Sequence, residues 1–112
     1  MAEANFFLGK LYETGQIGFI DTEKAIKFYL EADFEENPVA ALKLGMLLLA
    51  REEEGDVKQA INLIRYAADN GISDAKLNYA KLLDEGKYTK KNLPLSAYYL
   101  SLIHISEPTR PY

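Results

Sequence analysis

Apolar residues recur three and four positions apart in six separate segments of this chain, and no segment alternates apolar with polar residues as a half-buried strand does. This spacing places the apolar side chains on one face of a helix. The sequence therefore predicts an all-α protein with helices near residues 2–13, 22–34, 38–51, 56–69, 73–84 and 94–103.

The segments also repeat. The stretch that runs from Ala4 through Gly9 to Tyr12 has counterparts that start at Ala40 and at Ala75, spaced by 36 and 35 residues. A second series, from Asp21 to Ala32, recurs from Asp56 to Ala67, and its third copy keeps only residues 97–100. Each repeat is thus expected to contain two helices, A and B. We predict an alpha-alpha superhelix, or solenoid, of about three antiparallel hairpins at residues 3–36, 37–72 and 73–99, the last one truncated.

Residues typical of helix ends separate these segments. Asn37 precedes Pro38, which suits an N-cap followed by proline at the first helical position. Asp21 and Asp56 each precede a B helix and are predicted to cap it through their carboxylates. Gly15, Gly71 and Gly86 follow the ends of predicted helices, where a positive φ is common.

Small residues mark a close approach of the two helices in each hairpin. Glycine inside a helix costs about 1 kcal/mol relative to alanine, yet Gly9 and Gly45 occupy the same repeat position, and Ala80 occupies the third copy. We expect Gly9 to face Ala25, and Gly45 to face Ala60, so that the helix axes approach closely. The alternative is that these small residues coincide by chance.

The pattern Ala-x-x-x-Leu-Gly-x-Leu-Tyr-x-x-Gly, followed by Asp-x-x-Lys-Ala-x-x-Phe-Tyr-x-x-Ala, resembles the Sel-one-like repeat, a relative of the tetratricopeptide repeat. The resemblance covers about residues 3–99. Departures are Leu48 in place of a favoured Tyr, Arg51 in place of the loop glycine, and Ala80 in place of the helix-A glycine. The resemblance implies a superhelical scaffold for protein complexes and names no ligand.

Residues 100–110 resemble one translated reading frame of a transposase sequencing adaptor, and a natural tail is the alternative. We expect residues 100–112 to be a non-native tail joined to a gene cut near Tyr99, with further repeats in the native protein. Five apolar side chains would then lie at an uncapped end of the array, and self-association through them is the expected consequence. They are Tyr98, Tyr99, Leu100, Leu102 and Ile103.

Charge and composition narrow the possible partners. With 13 Lys and Arg residues against 17 Asp and Glu residues, the net charge of −4 disfavours nucleic acid and anionic membranes. The absence of Cys and of a signal-like N-terminus favours a cytoplasmic location. No apolar run approaches the roughly 18 residues of a membrane span. We therefore expect a protein or peptide partner.

Few residues offer catalytic or metal-binding chemistry. The single histidine, His104, lies in the adaptor-like segment, and without Cys or a second His the usual nucleophilic dyads and zinc sites are not available. The carboxylates of residues 52–54 and Asp56 could hold a cation loosely, but consecutive helical residues diverge and a solvated charge cluster is favoured. The chain is predicted not to be an enzyme and to need no cofactor or metal.

The resemblance also implies a binding face, because in related helical-hairpin arrays the A helices line the concave surface. Its exposed positions fall three residues before and one residue after the glycine position. The selected residues are apolar at the centre, with a lysine at each end, which suits a partner helix or extended apolar segment. The six predicted residues are Phe6, Lys10, Leu42, Met46, Leu77 and Lys81. The alternative is that Leu42, Met46 and Leu77 fill the inter-repeat core.

The sequence is also compatible with a second function, as a regulatory or accessory segment of a larger, truncated multidomain protein.

Overall fold

A computed structural model describes residues 2–53 and 55–103 and contains six α-helices in these ranges. No β-strand occurs in either range, which confirms the all-α prediction. The helices are α1 Ala2–Thr14, α2 Thr22–Leu30, α3 Pro38–Arg51, α4 Asp56–Asp69, α5 Ser73–Glu85 and α6 Leu93–Ser101.

The helices form three antiparallel hairpins that stack as a solenoid. Helix α1 packs on α2, α3 on α4, and α5 on α6, while the α2–α3 and α4–α5 contacts join neighbouring hairpins. Each hairpin buries one apolar face inside itself and another against the next hairpin, as repeat architectures do. The interior is continuous, because Phe34, Leu49 and Leu63 pack against both of its apolar clusters.

Two of the three predicted N-caps are found at the expected residues. The Asp21 carboxylate accepts a hydrogen bond from Lys24 N at 3.1 Å. Asn37 occupies the N-cap position before Pro38, although its side chain makes no capping hydrogen bond. The prediction for Asp56 was wrong, because Gly55 occupies the N-cap position and Asp56 is the first helical residue.

Helices α1 and α5 end at left-handed glycines, Gly15 with φ +77° and Gly86 with φ +71°. Helix α3 has 14 residues where α1 has 13, so its left-handed position falls on Glu52, with φ +54°, and not on Arg51. A non-glycine residue in this region is strained. The departure from the repeat pattern therefore lies at Glu52, one residue later than predicted.

The small residues allow close approach, and at Gly9 the nearest side chain is one that the sequence did not predict. A Cβ added at Gly9 would lie 2.6 Å from Tyr29 Cε1, so Tyr29 is the nearest side chain to Gly9. At Gly45 the added Cβ would lie 3.1 Å from the Ala60 carbonyl oxygen, as expected, and 2.9 Å from Ile64 Cγ1. Glycine is thus required where a large side chain of the B helix crosses the A helix.

Helix α2 ends at Leu30, four residues earlier than predicted, and a seven-residue connection (31–37) leads to α3. The Asp33 carboxylate accepts hydrogen bonds from Glu35 N at 3.0 Å and Glu36 N at 3.3 Å, which closes a turn within this connection. Local bonds of this kind compete with helical ones. The α4–α5 connection contains only three residues (70–72).

The third B helix, α6, forms over Leu93–Ser101, close to the predicted 94–103. Tyr99 is buried against Tyr79, with ring centroids 4.9 Å apart, and its hydroxyl donates to Asp69 Oδ1 at 2.8 Å. Lys76 Nζ donates to the Leu102 carbonyl at 3.0 Å at the end of this helix. Residues 104–112 of the predicted tail, including His104, lie outside the described residues.

Candidate protein-binding surface

One row of predicted positions is exposed on all three A helices. Lys10 on α1, Met46 on α3 and Lys81 on α5 each follow the small residue of their helix, and each side chain is exposed. The close packing at Gly9, Gly45 and Ala80 turns the next residue away from the B helix. We call Lys10, Met46 and Lys81 the A-helix row.

The predicted positions three residues before the small residue differ from one another. Phe6 is half-buried, with its ring centroid 5.9 Å from that of Tyr29, and Lys10 Nζ lies 5.6 Å from the same Phe6 ring. Leu42 is only 8% exposed and belongs to the core, so the core-filling alternative describes it better. Leu77 is 39% exposed, close to the 38% of Met46. The exposed apolar centre of this surface is thus Met46 and Leu77.

An ionic cluster joins the first two hairpins. Arg51 at the end of α3 donates to both carboxylate oxygens of Asp56, at 2.6 and 3.0 Å, and to Glu23 Oε1 at 2.9 Å. The Arg51 guanidinium holds the pKa of Asp56 below its ordinary value by hydrogen bonding, and the carboxylates raise the pKa of Arg51. Since the ends of three helices share this guanidinium, the cluster positions α3 relative to its neighbours.

The acidic segment considered as a cation site is therefore engaged elsewhere. Asp56 is bonded to Arg51, Glu53 lies 3.5 Å from Arg51 Nε, and Glu52 accepts from the Tyr88 hydroxyl at 2.6 Å. Glu54 lies outside the described residues. Among the residues that the structure describes, no three His, Cys, Asp or Glu side chains form a group that could hold a metal ion.

Buried tyrosines form hydrogen bonds within the first hairpin and between the second and third hairpins. Tyr29 is buried and donates to Glu13 Oε1 at 2.5 Å, and burial together with this carboxylate raises the pKa of Tyr29. Burial and the bond to Asp69 raise the pKa of Tyr99 to about 12. Both hydroxyls act as internal donors, as buried tyrosines usually do, so these two residues serve packing.

A pocket that the sequence analysis missed lies between the first turn of α1 and the α2–α3 connection. Its volume is about 320 Å³. Chain length does not signal it, because Ala32 and Ala40 are eight residues apart, as are Ala67 and Ala75. The pocket follows from the early end of α2 and the turn closed by Asp33. We call it the Phe6 pocket, and its lining residues are Ala2, Glu3, Phe6, Ala32, Asp33, Glu36 and Asn37.

A more open depression of about 490 Å³ lies on the other side of Ala32 and Asp33, against α4. Phe34, Leu63 and Tyr66 provide its apolar wall. The two depressions flank the same connection, so the loop that shortens α2 shapes both. Within the described ranges, no helix is long and apolar enough to cross a membrane.

Comparisons with known proteins agree with this geometry. The Sel1 repeat family model matches residues 2–32, 38–72 and 73–102. A protective antigen of uropathogenic Escherichia coli with an SLR fold matches with a TM-score of 0.82 and 26% identity, over 91% of this chain and 22% of the antigen. A Sel1 repeat protein from Oxalobacter formigenes matches with a TM-score of 0.79 and 20% identity, over 92% of this chain and 79% of the other.

None of the curated proteins matches the sequence significantly. The chain spans about a fifth of the length of the Escherichia coli antigen. The likeness to the Oxalobacter protein, at 20% identity, shows the fold alone. The family match extends over all three hairpins, and it includes the third repeat up to residue 102. The chain belongs to the Sel1 repeat family.

Proposed function

We propose that this chain is a scaffold that holds a peptide or helix of a partner protein along its A helices. Sel1 repeats generally serve as protein-interaction scaffolds and are typically non-catalytic. The observation that carries the proposal is that Met46 and Leu77 are exposed on successive A helices, 38% and 39% respectively. Lys10 and Lys81 are exposed at the same register on the outer two A helices.

This arrangement defines the chemistry of the partner. Methionine is flexible and polarizable, so Met46 can adapt to side chains of several shapes. Leu77 adds a branched apolar contact, while Lys10 and Lys81 can pair with carboxylates at the two ends. A partner with an apolar centre and acidic flanks fits best, either as an amphipathic helix or as an extended segment.

Selection from a peptide library tests the proposal and does not require an identified partner. A displayed random-peptide library is selected on the wild-type chain, and the recovered peptides are titrated against Met46→Glu and Leu77→Glu. The matched control is Leu30→Glu, which places the same charge at an exposed leucine of α2. Circular dichroism establishes that the three variants remain helical.

Residues at the centre of an interface typically contribute about 2 kcal/mol or more, which corresponds to roughly 30-fold in affinity. We expect the selected peptides to lose affinity on this scale for Met46→Glu and Leu77→Glu and to bind Leu30→Glu as they bind the wild type. Equal binding to all three variants, or a selection that yields no binder, would contradict the proposal.

A second candidate is that the repeats serve as an accessory segment of a longer protein. The length of the Escherichia coli antigen, of which this chain covers 22%, favours it. The full reading frame of the source gene distinguishes the two. A catalytic domain in the same frame would support the accessory role, and a frame of repeats alone would oppose it.

Self-association through α6 is a further proposed interaction. Tyr98 is 55% exposed and Leu100 47% exposed on this helix, whereas Tyr99, one of the five residues expected at the uncovered end, is buried. Apolar surface of this kind favours association between copies. We expect light scattering to show a rise in mass with concentration, and a variant that carries Leu100→Glu with Ile103→Lys to remain monomeric. A parent chain that stays monomeric at high concentration would refute it.

A further inference from the structure

The Phe6 pocket combines an apolar floor with an acidic rim. Phe6, Ala2 and Ala32 supply the apolar part of the lining, and three carboxylate residues and Asn37 supply the polar part. The described lining residues include no Lys or Arg. The pocket therefore selects for a group that is both apolar along its length and positively charged at its end. The carboxylate residues are Glu3, Asp33 and Glu36.

The turn in the α2–α3 connection holds this rim in place. Asp33 Oδ1 accepts from the backbone N–H groups of Glu35 and Glu36, and Asn37 N donates to the Asp33 carbonyl at 2.9 Å. The backbone that carries Glu36 is thus fixed by three hydrogen bonds. Preorganised groups lose less conformational entropy on binding than mobile ones. Because the backbone of this turn is already fixed, less conformational entropy is lost when Glu36 binds a positively charged group.

Two of the three rim carboxylates are also available. Within the part of the chain that the structure describes, Glu3 and Glu36 form no salt bridge. At about 320 Å³, the pocket lies at the lower end of the range for small-ligand sites, a size that suits one side chain better than a cofactor. The net charge of −4 attracts a cationic segment from a distance.

We propose that the Phe6 pocket binds an arginine side chain of a partner protein. The methylene groups of the arginine pack on Phe6 and Ala32, and its guanidinium pairs with Glu3 and Glu36. Arginine fits better than lysine because its planar guanidinium stacks on aromatic rings and can bridge two carboxylates. This site is distinct from the proposed A-helix surface, because its charged residues are acidic, whereas those of the A-helix row are lysines.

Substitution of Lys10 is expected to affect the two proposed sites in opposite directions. Its Nζ lies 5.6 Å from the Phe6 ring centroid, where it repels a guanidinium that enters the pocket. Lys10→Gln is therefore expected to strengthen arginine binding. The same substitution should weaken an acidic partner at the A-helix row, so the two proposals predict changes of opposite sign.

The test uses capped single residues as probes and follows backbone amide signals by nuclear magnetic resonance. Acetyl-arginine methylamide is titrated into the chain, and the citrulline analogue, which has nearly the same shape without the charge, is the control probe. The test variant carries Glu3→Gln with Glu36→Gln. The control variant is Glu31→Gln, an exposed carboxylate of the same connection that does not line the pocket.

We expect shifts concentrated at Phe6 and residues 32–37 that saturate with the arginine probe and are at least about fivefold weaker with citrulline. Two partly exposed charge pairs together contribute about 1 kcal/mol, so the double variant should bind roughly fivefold more weakly. Glu31→Gln should bind within about twofold of the wild type.

Shifts spread over all acidic residues, or equal losses in the test and control variants, would overturn the proposal. Met46→Glu should leave this binding unchanged, so failure of one proposal is distinguishable from failure of the other.

Discussion

Gly9→Ala is the sharpest test of the packing within a hairpin. The added methyl group would lie 2.6 Å from Tyr29 Cε1 and 2.7 Å from Cδ1, well inside van der Waals contact. The Tyr29 ring cannot move aside easily, because it is buried, packs on Phe6 and is held by its hydrogen bond to Glu13. The substitution therefore forces the two helices apart or distorts the tyrosine rotamer.

The expected cost combines two opposing contributions. Overpacking a well-filled interior costs about 1–3 kcal/mol, while alanine improves helix propensity by about 1 kcal/mol over glycine. Because a buried and hydrogen-bonded ring blocks the new methyl group, we expect the upper part of the overpacking range. The net loss in the free energy of unfolding should be about 1–2 kcal/mol.

Thermal and denaturant unfolding followed by circular dichroism measure this loss. For a chain of this size about 1 kcal/mol corresponds to a decrease of roughly 4–8 °C in Tm. The converse substitution at the equivalent position of the third hairpin is Ala80→Gly, where the methyl group is native and buried. Its loss of propensity and of one buried methyl group should cost about 2 kcal/mol. If Gly9→Ala were as stable as the wild type or more stable, the close-approach argument would be refuted.

Three further predictions concern charge and packing elsewhere. Gly45→Leu should destabilise the chain by about 1–3 kcal/mol or more in the same unfolding assay, because Ile64 and Ala60 leave no room beside it. Arg51 lowers the pKa of Asp56, so the stability that this pair contributes is present above pH 3.8 and is lost as the pH falls through the lower folded pKa. We therefore expect acid titration of Arg51→Gln to show an unfolding midpoint at a higher pH than that of the wild type. An unchanged midpoint would contradict this. The pKa of Tyr99 is raised from 10.0 to about 12, so the folded chain binds more protons than the unfolded chain between these two values. The stability that Tyr99 contributes is therefore present below pH 10.0 and should decrease by on the order of 2–3 kcal/mol by pH 12. Tyr99→Phe should reduce this alkaline dependence, and the remainder is expected from Tyr29, whose pKa is also raised by burial and by Glu13.

Local signals in the sequence predicted the helices well. The three- and four-residue spacing, the Asp21 cap and the Asn37–Pro38 pair predicted starts that the structure confirms, because these signals act within a single turn. The end of α2 was missed, since the bonds that stop it involve the Asp33 side chain and compete with an apolar pattern that continues to Phe34. The exposed row at Lys10, Met46 and Lys81 followed from repeat register alone.

What the sequence determined by itself is the helical class, the repeat length and the positions that must stay small. These depend on spacing along one chain segment and on the volume of single residues. Only the tertiary structure decided that Gly9 meets Tyr29, that Asp56 pairs with Arg51, and that Phe6 forms the floor of a pocket. Such contacts depend on how far each helix slides and rotates against its neighbour. The additional residue of α3 and the early end of α2, four residues before the predicted one, change such contacts, because about 3.6 residues complete a helical turn.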